Sequence, residues 1–478
     1  MLKVPIPSAT KGISEMQLSH TAAARSAVFD DPNLVSSAGL VPLLALAEFA
    51  GLHALAHEHV TVPGDKGANA GLKVASLVAG MVAGADSIDD MALLRHGGMA
   101  RVFNRAYAPS TLGSFLRAFT FGHVRQLDAV ASRFLTRLAD QVPLLDTDGD
   151  EGYVLVDVDD TIIEVHGYAK QGAGFGYTGV RGLNALLATA TTSGSAPIVV
   201  AQRLRKGSAG SPRGAKRLVL DALKTVRTMS ASRPLVRADS AFYGRGLVLA
   251  AARAGADVSV TVRLNTQVRN AIAAIPEGAW QSIEYTDAVY DEQAGRWISR
   301  AEVAEIPFTA FTAQKKSEQV LGRLVVRRIP DLNATPGQGT LFDTWRFHAF
   351  FTTTDPDVLD TVAADKTHRH HAIIEQAHAD LKTAALAHLP SGKFAANAAW
   401  LMLAVIAFNL TRAAAAITGP ALARATTTTI RRKLIAVPAR IASSARRITL
   451  HLPAAWPWEA AWTRLFTHGC GPPTLATT

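Results

Sequence analysis

One cysteine, Cys470, in 478 residues leaves no partner for an intramolecular disulfide and no ligand set for a cysteine-rich zinc site. This is the cysteine usage of a reducing cytoplasm. Charged residues are scarce as well, 18% against 48% hydrophobic ones, which excludes a disordered chain and leaves a globular one of roughly two to four domains. The opening "MLKVPIPSATKG" lacks the apolar core of a signal peptide, so a cytoplasmic protein is expected. Long apolar runs are missing too. "FAANAAWLMLAVIAF" (394–408) is shorter than the ~20 residues that span a bilayer, and Asn397, Asn409 and Arg412 bracket it. It is expected to be a buried core helix, with no membrane partner; "KVASLVAGMVAGAD" (73–86) is shorter still.

Acids are nearly absent from one region. From Thr383 to Thr478 the only acid is Glu459, set against ten Lys/Arg that include Arg431, Arg432 and Lys433. That stretch holds almost the whole net charge of +10 and favours a polyanionic partner. Trp456, Trp458, Trp462 and Phe466 lie in it, which points to a structured basic surface rather than a solvated tail.

What is present changes texture along the chain. Residues 1–148 read as helical, in "VPLLALAEFAGLHALAHEHV", "GLKVASLVAGMVAGA" and "GSFLRAFTFGHVRQLDAVASRFLTRLADQV". Within them "DDMALLRHGGMARVFNRAYAPSTLGSFLRAFTF" admits helix, turn, helix, with Ser110 or Thr111 as N-cap and Arg117 projecting from the later helix. That is either a DNA-reading unit or part of a plain helical bundle. Residues 149–266 alternate β-rich runs with helical patterns, the mark of an α/β domain. Residues 267–358 are β-rich and interrupt it, with a Pro/Gly loop "PDLNATPGQGT". Helices return over 359–415, and 416–478 is the basic C-terminal region.

Three acids carry the chemistry. "YVLVDVDDTIIEVHG" (153–167) places Asp157, Asp159 and Asp160 in an apolar strand. Buried carboxylates are costly unless they are paired or bind a metal. Side chains alternate along a strand, so Asp157 and Asp159 share a face and Asp160 points away. "LVRADSAFYG" ends a second strand on Asp239. In "HRHHAIIEQAHADLK" a helix places His368, His371, Glu375, His378 and Lys382 on one stripe. Two strand-borne Asp and one helix-borne Glu make an oxygen-rich set suited to Mg²⁺ or Mn²⁺. Two such ions about 3.5–4 Å apart drive in-line phosphoryl displacement. Arg203, Arg205, Lys206, Arg213, Lys216 and Arg217 are either phosphate contacts beside this site or a solvated loop.

In this order the motifs "VDVDDTIIEVHGYAKQGAGFGYTG", "RLRKGSA", "RADSAFYG", "IIEQAHADLK", "FAANAAWLMLAVIAFNLTRA" and "TIRRKLIAVPARIASSARRITLHLP" resemble the DDE transposases of bacterial insertion sequences, the group numbered thirteen-eighty in particular. The resemblance implies an α/β RNase H-like catalytic domain with a β-rich insertion, an α-helical N-terminal DNA-binding region and a basic C-terminal region. It implies metal-dependent DNA nicking and strand transfer at element ends, with no covalent enzyme–DNA intermediate. Carried over by position, the catalytic and metal-binding acids are Asp159, two residues before Thr161, then Asp239 and Glu375, with Asp157 as fallback for the first. Two ions, Mg²⁺ or Mn²⁺, are implied. Lys382 follows Glu375 by seven residues as in the family, whereas His368 and His371 stand where relatives have Tyr and Arg. The expected DNA contacts are Lys382, Arg369, Arg205, Lys206, Arg117, Arg431, Arg432 and Lys433. The partners are double-stranded DNA, both terminal inverted repeats and target, and a second copy of the chain in a homodimeric synaptic complex, at the nucleoid of the cytoplasm.

Three other readings compete. "VLVDVDDTI" taken alone fits the first motif of haloacid dehalogenase-like phosphatases, with Asp157 as nucleophile, Asp159 as acid/base and one Mg²⁺. A DNA-binding protein with an inactive catalytic domain is the second, and a transition-metal site at "HRHH" (368–371) the third.

Overall fold

The structure, a computed structural model, describes residues 26–103, 106–145, 152–291, 296–330, 345–444 and 447–471. The Pro/Gly loop expected at 330–340 lies outside the described residues after Pro330.

The N-terminal region is helical: α1 (Leu40–Phe49), α2 (Leu52–His59), α3 (Ala70–Ala83), α4 (Pro109–Arg117) and α5 (Phe121–Ala139). The apolar run 41–60 is not one helix. Gly51 breaks it at φ 75°, bending α1 from α2 by 55°. A Cβ there would meet Arg137 Nη1 of α5 at 2.5 Å, so glycine serves both the left-handed backbone and the close approach. The expected helix-turn-helix is not built as two helices. Its first half is a 3₁₀ segment, Asp89–Leu94, and a single turn, Met99–Val102. Its second half starts earlier than expected: the N-cap is Ala108, not Ser110 or Thr111. Pro109 takes the first helical position, where its fixed φ and missing N–H cost nothing.

A ten-stranded sheet forms the centre. Its long strands are β1 (Val154–Glu164), β2 (Arg181–Thr191), β3 (Ile198–Lys206), β4 (Pro234–Ala238), β5 (Asp257–Thr261), β6 (Gln281–Asp291), β7 (Arg296–Ala310), β8 (Val320–Pro330) and β9 (Trp345–Thr352); the two-residue strand Gly174–Phe175 pairs with β2. The order is β3-β2-β1-β4-β5-β9-β8-β7-β6. β1, β2 and β3 pair antiparallel, while β1, β4 and β5 run parallel. The β-rich segment therefore continues the central sheet, because β9 pairs antiparallel with β5. The protein is a mixed α/β fold with one large sheet.

Helices cover the sheet: α6 (Ala215–Met229), α7 (Arg245–Arg253), α8 (Thr361–Arg369), α9 (Ile373–Lys382) and α10 (Phe394–Ile417). α6 contacts β1 to β4 and α9 contacts β1. α10 is long and apolar enough to cross a membrane by length, but 89% of its apolar window is buried inside the protein. It packs on α3, α5 and β3, as expected for a core helix. Its Asn409 completes the edge of the sheet: Val199 N donates to Asn409 Oδ1 at 2.9 Å, and Asn409 Nδ2 donates to Val199 O at 2.8 Å. A side-chain amide thus replaces a missing neighbouring strand.

The two ends of the chain fold together. Leu34–Val35 pairs with β10 (Ala439–Ser444), which pairs with β11 (Arg447–His451). The last helix, α11 (Glu459–Cys470), packs on α1.

Candidate active site

Parallel pairing of β1 and β4 fixes where the acids fall. Asp157 stands opposite Arg237 and Val158 opposite Ala238, so the next step along both strands brings Asp159 beside Asp239. Asp239 ends β4 and caps the 3₁₀ turn Ser240–Phe242, its carboxylate accepting from the Ala241 amide at 2.9 Å. Buried Phe242 anchors that turn. Asp239 is exposed and Asp159 half-buried. Burial pushes the Asp159 carboxyl up to about 6; the negative charges of Asp239 and Asp160 act the same way, against the Asp160 amide and His371. Two carboxylates that repel across a short gap suit a shared hard cation.

Helix α9 and the turn before it cross this face of β1. His371 Nδ1 lies 2.8 Å from Asp157 Oδ1, His378 Nδ1 3.7 Å from Asp159 Oδ2, and Lys382 Nζ 3.3 Å from Thr161 Oγ1. The helix thus meets alternate residues of the strand in turn. Glu375 lies on the same stripe, between His371 and His378, and is exposed. Among the described residues it has no hydrogen-bond or ion-pair partner, and no group of three or more His, Cys, Asp and Glu side chains is spaced to hold a metal ion. The structure thus brings Asp159 and Asp239 together and places Glu375 on the facing helix without closing the set. His378 is buried; burial, and then the charge of Lys382, lower its pKa to about 4, so it faces Asp159 as a neutral ring.

Several expected residues have other duties. Asp157 is fully buried. Arg237 Nε and Nη2 donate to its two oxygens, each at 2.7 Å. Burial alone would raise its pKa, but Arg237 and His371 outweigh that and hold it below the usual carboxylate value. Asp157 is therefore neither a fallback metal ligand nor a phosphatase nucleophile, since both need a free oxygen at the surface. Asp160 does point to the other face, where it meets Asn184 Nδ2 and Arg205.

Arg205, expected to touch DNA, is buried. It bonds Asn184 Oδ1 and the carbonyls of Ser211 and Arg213 at 2.6–2.9 Å and pairs with Asp160 at 3.1 Å. It ties β1, β2 and β3 to the following loop. Arg203 is likewise held by Asp128 and Asp221.

The stripe of five polar side chains is interrupted, because a 3₁₀ turn, His370–Ala372, separates α8 from α9. His368 turns into the sheet, stacked on Phe350 at 4.1 Å and bonded to Ser259 and Thr261. Burial lowers its pKa to about 3. The histidines of "HRHH" thus point apart and form no metal site. Of the remaining cations, Lys382, Lys206, Arg117 and Arg432 are exposed, while Arg369, Arg431 and Lys433 are half-buried. Lys433 lies 4.9 Å from the Trp458 ring.

Arg237 is the site-adjacent residue that sequence reading missed. A signal existed: an arginine inside the apolar strand "PLVRA" needs a partner, and it precedes Asp239 by the two residues that separate Asp157 from Asp159.

The sequence model of the family described as "Transposase DDE domain group 1" matches residues 22–468. No curated protein matches the chain. Among solved structures, the chain is similar to "Cryo-EM structure of piggyBac transposase synaptic complex with hairpin DNA", at 10% identity and TM-score 0.40, over 82% of this chain and 78% of that one.

Proposed function

Because the chain belongs to the transposase DDE domain group 1 family, whose model spans residues 22–468, we propose that it cuts and rejoins DNA at the ends of a bacterial insertion sequence. Asp159, Asp239 and Glu375 are the catalytic acids of this reading. The observation that carries it is the parallel register of β1 and β4, which sets Asp159 beside Asp239 under the helix that bears Glu375. The strand order β3-β2-β1-β4-β5, three antiparallel then two parallel, fits an RNase H-like core extended at β5.

The three acids would hold Mg²⁺ or Mn²⁺, two ions in the family's usual manner, which supply activation of the attacking water or 3′-hydroxyl and charge relief at the leaving oxygen. The chain's own part is positional. β1 and β4 fix two carboxylates, and α9 brings the third over them. Lys382, Lys206, Arg117 and Arg432, with Arg369, Arg431 and Lys433, bind phosphates of terminal-repeat and target DNA. Residues 1–148 and 416–478 are DNA-binding regions flanking a catalytic core of 149–266 and 359–415, with 267–358 as insertion. Two copies act at paired ends, in the cytoplasm at the nucleoid.

The test is a nicking assay on duplex DNA carrying the inverted repeats that flank the coding region. Asp159→Ala, Asp239→Ala and Glu375→Ala should each abolish Mg²⁺-dependent nicking while DNA binding persists. Cleavage that survives Glu375→Ala overturns the assignment. Binding without cleavage by the unaltered chain identifies a DNA-binding protein with an inactive core, the reading that the open position of Glu375 favours.

A further inference from the structure

We propose that Asp157, Arg237 and His371 form a buried positioning cluster that sets the spacing of the three acids, an inference that rests on the functional reading above. Each element that carries an acid also contributes one member. Asp157 precedes Asp159 by two residues on β1, and Arg237 precedes Asp239 by two on β4. His371 precedes Glu375 by four, at the turn into α9. Residues two apart on a strand share a face, so Asp157 and Arg237 lie one step before the acids on both strands, and His371 joins them from the 3₁₀ turn that leads into the helix bearing Glu375.

The cluster is well joined. Asp157 and Arg237 are both fully buried, and their bidentate pair, with two bonds of 2.7 Å, fixes orientation as well as distance. His371 Nδ1 reaches Asp157 Oδ1 at 2.8 Å. Arg237 also donates to the carbonyl of Thr367 and, at 3.4 Å, to that of His370. One guanidinium therefore ties β1 to the last turn of α8 and to the first residue of the break before α9. Arg237 thus satisfies carbonyls at the C-terminal end of α8, while the start of α9 lacks a side-chain N-cap bond. The angle at which Glu375 leaves that helix depends on the turn that Arg237 and His371 hold. None of the three touches DNA or metal in this arrangement; they act through the acids above them.

The test uses the full chain, the flanking inverted-repeat duplex and a Mg²⁺ titration under single-turnover conditions. His371→Ala should slow cleavage and raise the half-saturating Mg²⁺ concentration, each about tenfold or more, the range seen when residues behind a metal site are removed. Its DNA affinity should stay unchanged. His371→Asn, whose amide nitrogen stands where Nδ1 does and can donate to Asp157, should restore both values to within about threefold, whereas His371→Gln, with its donor displaced, should not. Wild-type Mg²⁺ dependence in His371→Ala overturns the proposal. If that variant does not fold, equal behaviour of the Asn and Gln variants overturns it instead. The parallel Glu375→Ala reaction separates the two levels: cleavage there sinks the functional reading, while its loss together with a normal His371→Ala sinks only this inference.

Discussion

Asp159, midway along β1, stands beside Asp239, which follows the last residue of β4 where the parallel pairing of the two strands stops, and the charge of Asp239 makes ionised Asp159 costlier. Burial and this repulsion raise the Asp159 carboxyl to about 6, above its ordinary value of about 3.9. Protons and metal therefore compete for it near neutral pH. The apparent Mg²⁺ affinity should fall as pH drops through about 6, by up to tenfold per pH unit below it, and change little above pH 7. Isothermal titration across pH 5–8 measures this, and a flat profile would count against Asp159 as a ligand.

The same repulsion bears on stability. A carboxylate with a raised folded-state pKa weakens the fold where it is ionised. The penalty appears as pH rises from about 4 to 6 and is complete above that. Asp159→Asn removes it. Without metal at pH 8, this variant should be more stable than the natural chain by about 1–3 kcal/mol in denaturant unfolding, with the gain vanishing below pH 4. A gain in stability combined with lost cleavage would mark a site kept at a cost.

Arg205 and Lys206 are neighbours with opposite predicted behaviour. Arg205→Met removes a buried cation from half-buried Asp160 and should cost about 3–5 kcal/mol, while the folded fraction binds DNA with unchanged affinity. Lys206→Ala should leave the unfolding midpoint alone. It should weaken DNA binding and lower the slope of log affinity against log salt by about one. Denaturation curves and salt-dependent binding isotherms separate the two.

Asn409→Leu removes the amide that closes the sheet edge at Val199. Both Val199 backbone groups then lie buried and unpaired, at about 1–3 kcal/mol each. A loss near 3 kcal/mol is expected, and a loss below 1 kcal/mol would show that another group covers that edge.

Sequence periodicity carries the strand β1, the shared face of Asp157 and Asp159, the turn of Asp160 to the other side and the burial of α10. These depend on nearest neighbours along one element. What escapes it depends on register between elements. Asp157 looks like a catalytic candidate until Arg237 is seen opposite it, and that pairing comes from a strand 80 residues away. Arg205 looks like a DNA contact until the β1–β2–β3 ladder supplies Asp160 and Asn184. α4 starts after Ala108 rather than at Ser110 or Thr111, because Pro109 takes the first helical position, a weaker sequence signal than a hydroxyl cap. The break at His370–Ala372 left no mark in the sequence, since no glycine or proline produces it; His368 leaves the stripe because Ser259, Thr261 and Phe350 offer it a pocket.

The union of the two chain ends has a temporal meaning. Val35 and the leucines of α1 are covered by β10 and α11, some 400 residues later in the sequence. At about 5–20 residues per second of synthesis, the nascent chain carries that apolar surface bare for roughly 20–80 s. A slower ribosome lengthens that interval, and a gene copy interrupted before Ala439 yields a product whose first helix keeps the cover of α2, α3 and α10 but lacks that of β10 and α11.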